Sequence, residues 1–282
     1  MKTKLFLYFF SALFFNINSG VSASEPLKDQ PVNYTVVLDL SDRVLNEGQV
    51  IKDFALIRKL FKEFETRAKR GLILTSKDRF SVKIIPQKGS SLDRAFFEDK
   101  LQLKLDEISV QFKNKKMEEF AASFEEILKQ LATQSRIGKS SSDFFGVDIW
   151  AYLNDNAESF GKAGYKNVVV LTTDGYFDFE NRSHVLQAKN RFTSTQFLNK
   201  LSGFDWKEKA DKEDYGLIPI RLKPDIEWVI SGISSKNDQD ILQNKKIIYV
   251  WEKWLRESGA KKYHFILNES GSQMTSKLLA VL

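Results

Sequence analysis

Oxygen-donor side chains cluster at three places in the chain, each at a boundary of a predicted strand or helix. Segment 39–43 (DLSDR) ends the apolar run that begins at Tyr34, segment 140–143 (SSSD) precedes a predicted helix, and segment 172–175 (TTDG) follows the apolar run 168–171. Carboxylates and hydroxyls, with no nitrogen or sulfur donor among them, are the ligands that Mg²⁺ and Mn²⁺ prefer. These segments are therefore the candidate site.

The spacing of the donors suggests how they converge. Asp39 and Ser41 are two residues apart on a turning loop, and Asp174 approaches from a neighbouring strand, with Gly175 free to turn the backbone sharply. In open α/β sheets, ligands bind beyond the carboxyl ends of the strands. The alternative is that both aspartates only accept backbone N–H bonds in their loops. For the serine run 140–142, the alternative is that it is only a loop and the N-cap of the following helix.

Strands and helices alternate along the chain. The predicted strands are Tyr34–Leu40, Phe80–Ile85, Val168–Leu171, Ile226–Ile233 and Tyr263–Leu267. The predicted helices are Val50–Ala68, Met117–Leu131, Ile149–Ala157, Phe192–Leu201 and Ile241–Glu257, whereas Leu101–Val110 fits either type. This order predicts an α/β fold: a single domain over 33–282 with a doubly wound, mostly parallel sheet flanked by helices. A charged insertion loop is expected at about 204–224.

The amino terminus is typical of a secretory signal. Residues 1–23 combine two lysines, an apolar run over 5–15 and the small-residue site Val21-Ser22-Ala23, and a linker is predicted over 24–32. The apolar run is shorter than the roughly 20 residues of a membrane-spanning helix, so an uncleaved anchor is the weaker alternative. After cleavage we expect no membrane span and a periplasmic or secreted protein.

Composition excludes several classes of function. The chain has no Cys and 2 His, which leaves no thiol nucleophile, no disulfide and little histidine chemistry. Lys and Arg number 43 against 37 Asp and Glu, a mild excess that is mixed evenly along the chain. A nucleic-acid partner is therefore not expected. A large exported protein without disulfides fits a bacterial periplasm.

Three motifs, in order, carry a family resemblance: V-V-L-D-L-S at 36–41, S-S-S-D at 140–143 and V-V-V-L-T-T-D-G at 168–175. With the order of elements, they resemble the von Willebrand factor type A (vWA) domain family, whose fold is Rossmann-like. Its metal-ion-dependent adhesion site has a D-x-S-x-S loop, a Thr before a helix and an Asp in a T-D-G turn. The resemblance covers most of residues 33–282.

The resemblance implies a set of metal ligands. Asp39 and Ser41 match the first two positions, Ser142 stands where the family has Thr, and Asp174 matches the distal Asp, so these residues would hold Mg²⁺ or Mn²⁺. Arg43 occupies the place of the second Ser and makes the site atypical. A guanidinium beside a divalent cation would be repelled. Arg43 is therefore expected either to point outward or to replace the ion by pairing with Asp39 and Asp174.

The leading hypothesis is an exported, non-enzymatic binding module that engages a protein partner through this site. One alternative is a phosphohydrolase of the haloacid dehalogenase kind with Asp39 as nucleophile. That chemistry needs a second Asp two residues on, where this chain has Ser41. The other alternative is a degenerate vWA scaffold without metal.

Overall fold

The structure of the protein, a computed structural model, describes residues 30–179, 185–236 and 242–282. Its strands are β1 (Val32–Leu38), β2 (Arg79–Ile84), β3 (Gln102–Lys104), β4 (Lys166–Thr172), β5 (Gln187–Ala188), β6 (Arg191–Phe192), β7 (Gly216–Leu217), β8 (Ile226–Ile233) and β9 (Lys262–Leu267). Its α-helices are α1 (Glu47–Arg70), α2 (Arg94–Lys100), α3 (Lys113–Gln134), α4 (Ile149–Asn156), α5 (Trp206–Lys212), α6 (Gln243–Glu257) and α7 (Gly271–Val281). The predicted signal 1–23 and linker residues 24–29 lie outside the described residues.

The main sheet has six strands in the order β3-β2-β1-β4-β8-β9. Five of them are parallel, and β3 pairs antiparallel with β2 at one edge. The prediction of a single α/β domain with a mostly parallel sheet flanked by helices is confirmed. A second, three-stranded sheet combines β5, β6 and β7.

Helices cover both faces of the sheet, and the central strands β1, β4 and β8 are buried along almost their whole length. All seven residues of β1 are buried, as expected for a central parallel strand. One face packs against α1, α2, α3 and α7 around a phenylalanine cluster in which Phe61 lies 4.5 Å from Phe124 and 5.6 Å from Phe80, between ring centroids. The other face packs against α4, α5 and α6 and buries Trp251 and Trp254.

The order of the strands creates a crevice between β1 and β4. From β1 the chain proceeds to β2 on one side, whereas from β4 it proceeds to β8 on the other. Loops that leave the two strands therefore diverge, and such a switch point is where open α/β sheets bind ligands. The ends of the two strands are joined by the Asp39 amide, which donates to the Thr172 carbonyl at 3.2 Å.

Two predicted segments have a different structure. The helix predicted over Phe192–Leu201 is strand β6 followed by a 3₁₀ helix at Thr195–Lys200. The charged loop predicted over 204–224 contains α5 and β7. Helix α5 forms there because Trp206 and Ala210, four residues apart, are buried in the core on the sheet face that α4 and α6 also cover. The ambiguous segment Leu101–Val110 forms β3 and a 3₁₀ turn.

Helices α2 and α7 were not expected from the sequence. Each buries too few residues to produce an apolar stripe: Phe97 in α2, and Met274 and Leu278 in α7. Among the described residues, no helix is both long and apolar enough to cross a membrane.

Candidate functional site

Asp39 is a buried carboxylate just beyond the end of β1. Its Oδ1 accepts the Ser41 amide at 3.0 Å, and its Oδ2 accepts the Thr173 hydroxyl at 3.0 Å. Burial is the main cause that raises the pKa of Asp39 above its ordinary value; Arg43 opposes the increase and Asp174 adds to it. A cation at this position would relieve both the cost of burial and the repulsion from Asp174.

Asp174 lies on the turn that follows β4. Its Oδ1 accepts the Tyr176 amide at 3.1 Å, and its backbone carbonyl accepts the Ser234 amide at 3.1 Å. Gly175 has a φ of +96°, and its carbonyl accepts the indole N–H of Trp251 at 2.8 Å. The turn is therefore fixed to the end of β8 and to α6, which holds the Asp174 carboxylate at the mouth of the crevice.

Arg43 takes neither of the two orientations expected from the sequence. Its side chain is 6% exposed, and Nη2 donates to both carboxylate oxygens of Asp53 on α1, at 3.0 and 3.1 Å. Asp53 also accepts Nε2 of Gln49 at 2.7 Å. The guanidinium lies against β8, since a Cβ added to Gly232 would be 2.9 Å from Nη2. Arg43 thus points inward but forms no ion pair with Asp39 or Asp174.

The buried Arg43–Asp53 pair still affects the site electrostatically. Burial lowers the pKa of Arg43, but the carboxylates of Asp53, Asp39 and Asp174 outweigh burial and raise it above its ordinary value. For Asp53, burial raises the pKa despite the opposing charge of Arg43. Because Asp53 is the paired carboxylate, Arg43 brings less net positive charge to the candidate metal position than the sequence suggests.

Ser41 and Ser142 both line an open cleft of about 470 Å³ at this end of the sheet, together with Asp39 and Asp174. Ser41 is buried, next to Asp39 in the chain. Ser142 is exposed on a short 3₁₀ turn, and its hydroxyl lies 2.6 Å from that of Ser140. The structure therefore brings all four predicted ligands to one cleft, with Ser142 on its exposed wall.

The cleft is acidic and partly aromatic. Carboxylates of Asp39, Asp42, Asp174 and Asp178 line it, against one cation, Lys236, among the described lining residues. The Lys236 Nζ lies 3.2 Å from Asp174 Oδ2 and 4.5 Å from the centroid of the Tyr176 ring. Burial lowers the pKa of Lys236, but Asp174, Asp178 and Asp42 raise it overall, so the side chain stays charged.

Sequence reasoning missed two residues of this region, Asp53 and Lys236. Asp53 is one charge among many on α1, and its partner Arg43 lies ten residues away. Lys236 follows β8 in a polar stretch without a motif. Asp178, in the loop after the T-D-G turn, is half-buried and accepts the hydroxyls of Ser194 and Thr195 at 3.0 and 2.9 Å.

The donor set fits a small hard cation. Asp39 and Asp174 supply carboxylate oxygens and Ser41 a hydroxyl, and each carboxylate oxygen that accepts one hydrogen bond keeps a further lone pair for an ion. Within the described residues, no group of three His, Cys, Asp or Glu side chains converges tightly enough to hold a metal. Any ion here would depend on hydroxyl and water ligands as well as on the two carboxylates.

Comparisons with known proteins add no relative to this picture: no protein-family model matches the chain, and no curated protein matches it. The vWA resemblance therefore rests on the motifs and the order of elements, and function is inferred from the geometry of the cleft.

Proposed function

We propose that this protein is an exported, non-enzymatic binding module of the vWA type, which engages a protein partner at the cleft between β1 and β4. Asp39, Ser41, Ser142 and Asp174 would hold a Mg²⁺ or Mn²⁺ ion there. One observation carries the proposal: two carboxylates from different strands, Asp39 and Asp174, meet at the switch point of a parallel sheet, inside an open cleft. A divalent ion in that place supplies an open coordination position for a partner's oxygen.

The rim of the cleft favours a protein partner. Phe144, Phe145, Tyr176 and Phe179 contribute aromatic surface to it, and the Phe145 side chain is half-exposed. Aromatic residues are enriched at protein interfaces because they bury a large area at a low cost in conformational entropy. An acidic floor with aromatic walls therefore suits recognition of a protein surface.

The geometry of Asp39 argues against the phosphohydrolase alternative. The residue two positions on, where that chemistry needs a second Asp, is Ser41, whose amide donates to Asp39 Oδ1. Among the described residues that line the cleft there is no His or Cys to act as a base or nucleophile. Turnover of phosphate esters with Mg²⁺ that is lost in Asp39→Asn would contradict the non-enzymatic proposal.

The metal is tested by thermal unfolding. If the ion binds only the folded protein, Mn²⁺ at 100 times its dissociation constant should stabilise the fold by about 2.7 kcal/mol. For a domain of this size that raises the melting temperature by several degrees. Asp39→Asn and Asp174→Asn should each remove the response, whereas Asp148→Asn, at the N-terminus of α4, should keep it. A response that survives in both site variants would place the ion elsewhere.

The metal-free scaffold is the second candidate. It is favoured by the Lys236 ammonium, which already neutralises Asp174 at 3.2 Å. In that case wild type would show no shift with Mg²⁺ or Mn²⁺ at any concentration.

Export follows from the predicted signal. We expect the protein in its native host to begin at Ser24 and to be found in the periplasm or the medium. Mass spectrometry of the amino-terminal peptide measures this. An intact Met1 on protein from the cytosolic fraction would contradict it.

A further inference from the structure

Lys236 occupies the side of Asp174 that faces the cleft. Its Nζ lies 3.2 Å from Asp174 Oδ2, while the other carboxylate oxygen accepts the Tyr176 amide. The backbone amide of Lys236 donates to the Tyr176 hydroxyl at 3.2 Å, which fixes where the side chain starts. The backbone of Lys236, just after β8, is thus held in place, and its flexible side chain extends from there to the Asp174 carboxylate.

A divalent ion and this ammonium compete for the same carboxylate. Two cations about 4 Å apart repel each other strongly at the effective dielectric of a protein surface. The ion would also need a lone pair of Asp174 that now faces the ammonium. Occupation by one cation therefore disfavours the other.

The side chain is able to leave. It is 52% exposed, and its ammonium is held by one carboxylate and one aromatic ring. An ion pair this exposed is weak, and the four-carbon stem of lysine gives the ammonium many positions in solvent. Lys236 can therefore move aside without disturbing the backbone of the turn.

We propose that Lys236 is a built-in competitor for the cation site: its ammonium neutralises Asp174 in the metal-free protein and must swing into solvent before Mg²⁺ or Mn²⁺ binds. The inference rests on the proposed function, because it assigns a regulator to the same site. It makes Lys236, rather than Arg43, the residue that sets the affinity for the ion. The ion-pair partner of Arg43 is Asp53, whereas Lys236 is paired with the ligand carboxylate of Asp174.

The test measures Mn²⁺ binding by the full chain, with electron paramagnetic resonance of free Mn²⁺ as the readout. Lys236→Met keeps the length of the side chain and removes the charge, and its dissociation constant should fall by about 10-fold or more. Lys236→Arg keeps a cation and should bind like wild type or more weakly. Lys207→Met is the matched control, since Lys207 also lies over a tyrosine ring, 5.7 Å from the centroid of Tyr249, and neither residue lines the cleft.

The outcomes separate the inference from the proposed function. Tighter binding in Lys236→Met alone, abolished by adding Asp174→Asn, supports both. Equal or weaker binding in Lys236→Met than in wild type overturns the competitor and leaves the metal site standing. If Lys236→Met and Lys207→Met lower the dissociation constant for Mn²⁺ equally, the effect comes from the net charge of the protein, and the competitor role of Lys236 is also overturned. Absence of Mn²⁺ binding in every variant overturns both proposals.

Discussion

Arg43→Met is expected to lower the free energy of unfolding by about 3 to 5 kcal/mol, the usual cost of removing one partner from a buried ion pair. The side chains of Arg43 and Asp53 are only 6% and 10% exposed, so water cannot replace the lost guanidinium. Asp53 would keep the hydrogen bond from Gln49 at 2.7 Å but would carry an uncompensated buried charge. The loss should lower the melting temperature by roughly 2 to 4 °C per kcal/mol.

Urea unfolding measures this effect as a lower midpoint with an unchanged slope. The informative control is the double variant Arg43→Met/Asp53→Leu, which removes both charges and should recover most of the stability, since apolar residues often replace buried ion pairs at little cost. A single variant as stable as wild type would show that Arg43 is not needed to compensate Asp53. A double variant no better than Arg43→Met would show that the loss comes from packing rather than from charge.

The same pair changes how an engineered adhesion loop should be interpreted. Arg43→Ser would restore the D-x-S-x-S pattern, yet it would also leave Asp53 buried without its counter-charge. A failure of that variant to bind metal would then report damage to the fold as much as to the site. Arg43→Ser/Asp53→Asn removes both charges and is the better form of that experiment.

The fold was predictable wherever a segment is covered by other elements. Strand β8 has the predicted bounds, β1 differs from its predicted bounds by two residues, and α6 ends at the predicted Glu257, because long apolar runs and a clear helical stripe decide the assignment. The predicted start of that helix, Ile241, lies outside the described residues. Helix α5 was not predictable, because five of its seven residues are charged and only Trp206 and Ala210 are buried against the core, which is too few to produce a recognisable apolar stripe. Its structure depends on tertiary contacts that local composition does not show.

The site was predictable to the extent that it follows strand ends. Asp39 and Asp174 come directly after apolar strands, and parallel strands bring their ends to the same edge. The partners of the charges were not predictable. Asp53 and Lys236 lie on segments with ordinary polar patterns, and only the packing of α1 and the end of β8 against the crevice shows that one neutralises Arg43 and the other contacts Asp174.

The T-D-G turn provides the second large effect: Gly175→Ala should destabilise the fold by about 3 to 4 kcal/mol, which combines backbone strain with overpacking. Gly175 has a φ of +96°, a conformation that residues with a Cβ rarely adopt. A Cβ there would also lie 2.6 Å from Cγ2 of Ile247, a buried branched side chain on α6 that has little freedom to move. The turn would shift, and Asp174 with it.

A second glycine separates the two contributions. Gly164 has a φ of +81° with nothing within 4 Å of an added Cβ, so Gly164→Ala should cost only the strain, about 1 to 2 kcal/mol. Chemical unfolding of both variants gives the overpacking at position 175 by difference, and Ile247→Ala should cost less stability in the Gly175→Ala background than in wild type. Because the shifted turn carries Asp174, Gly175→Ala should also weaken Mn²⁺ binding, whereas Gly164→Ala should not. If the two glycine variants lose the same free energy of unfolding, α6 moves to accommodate the new methyl group. The position of Asp174 would then not depend on the contact between Gly175 and Ile247.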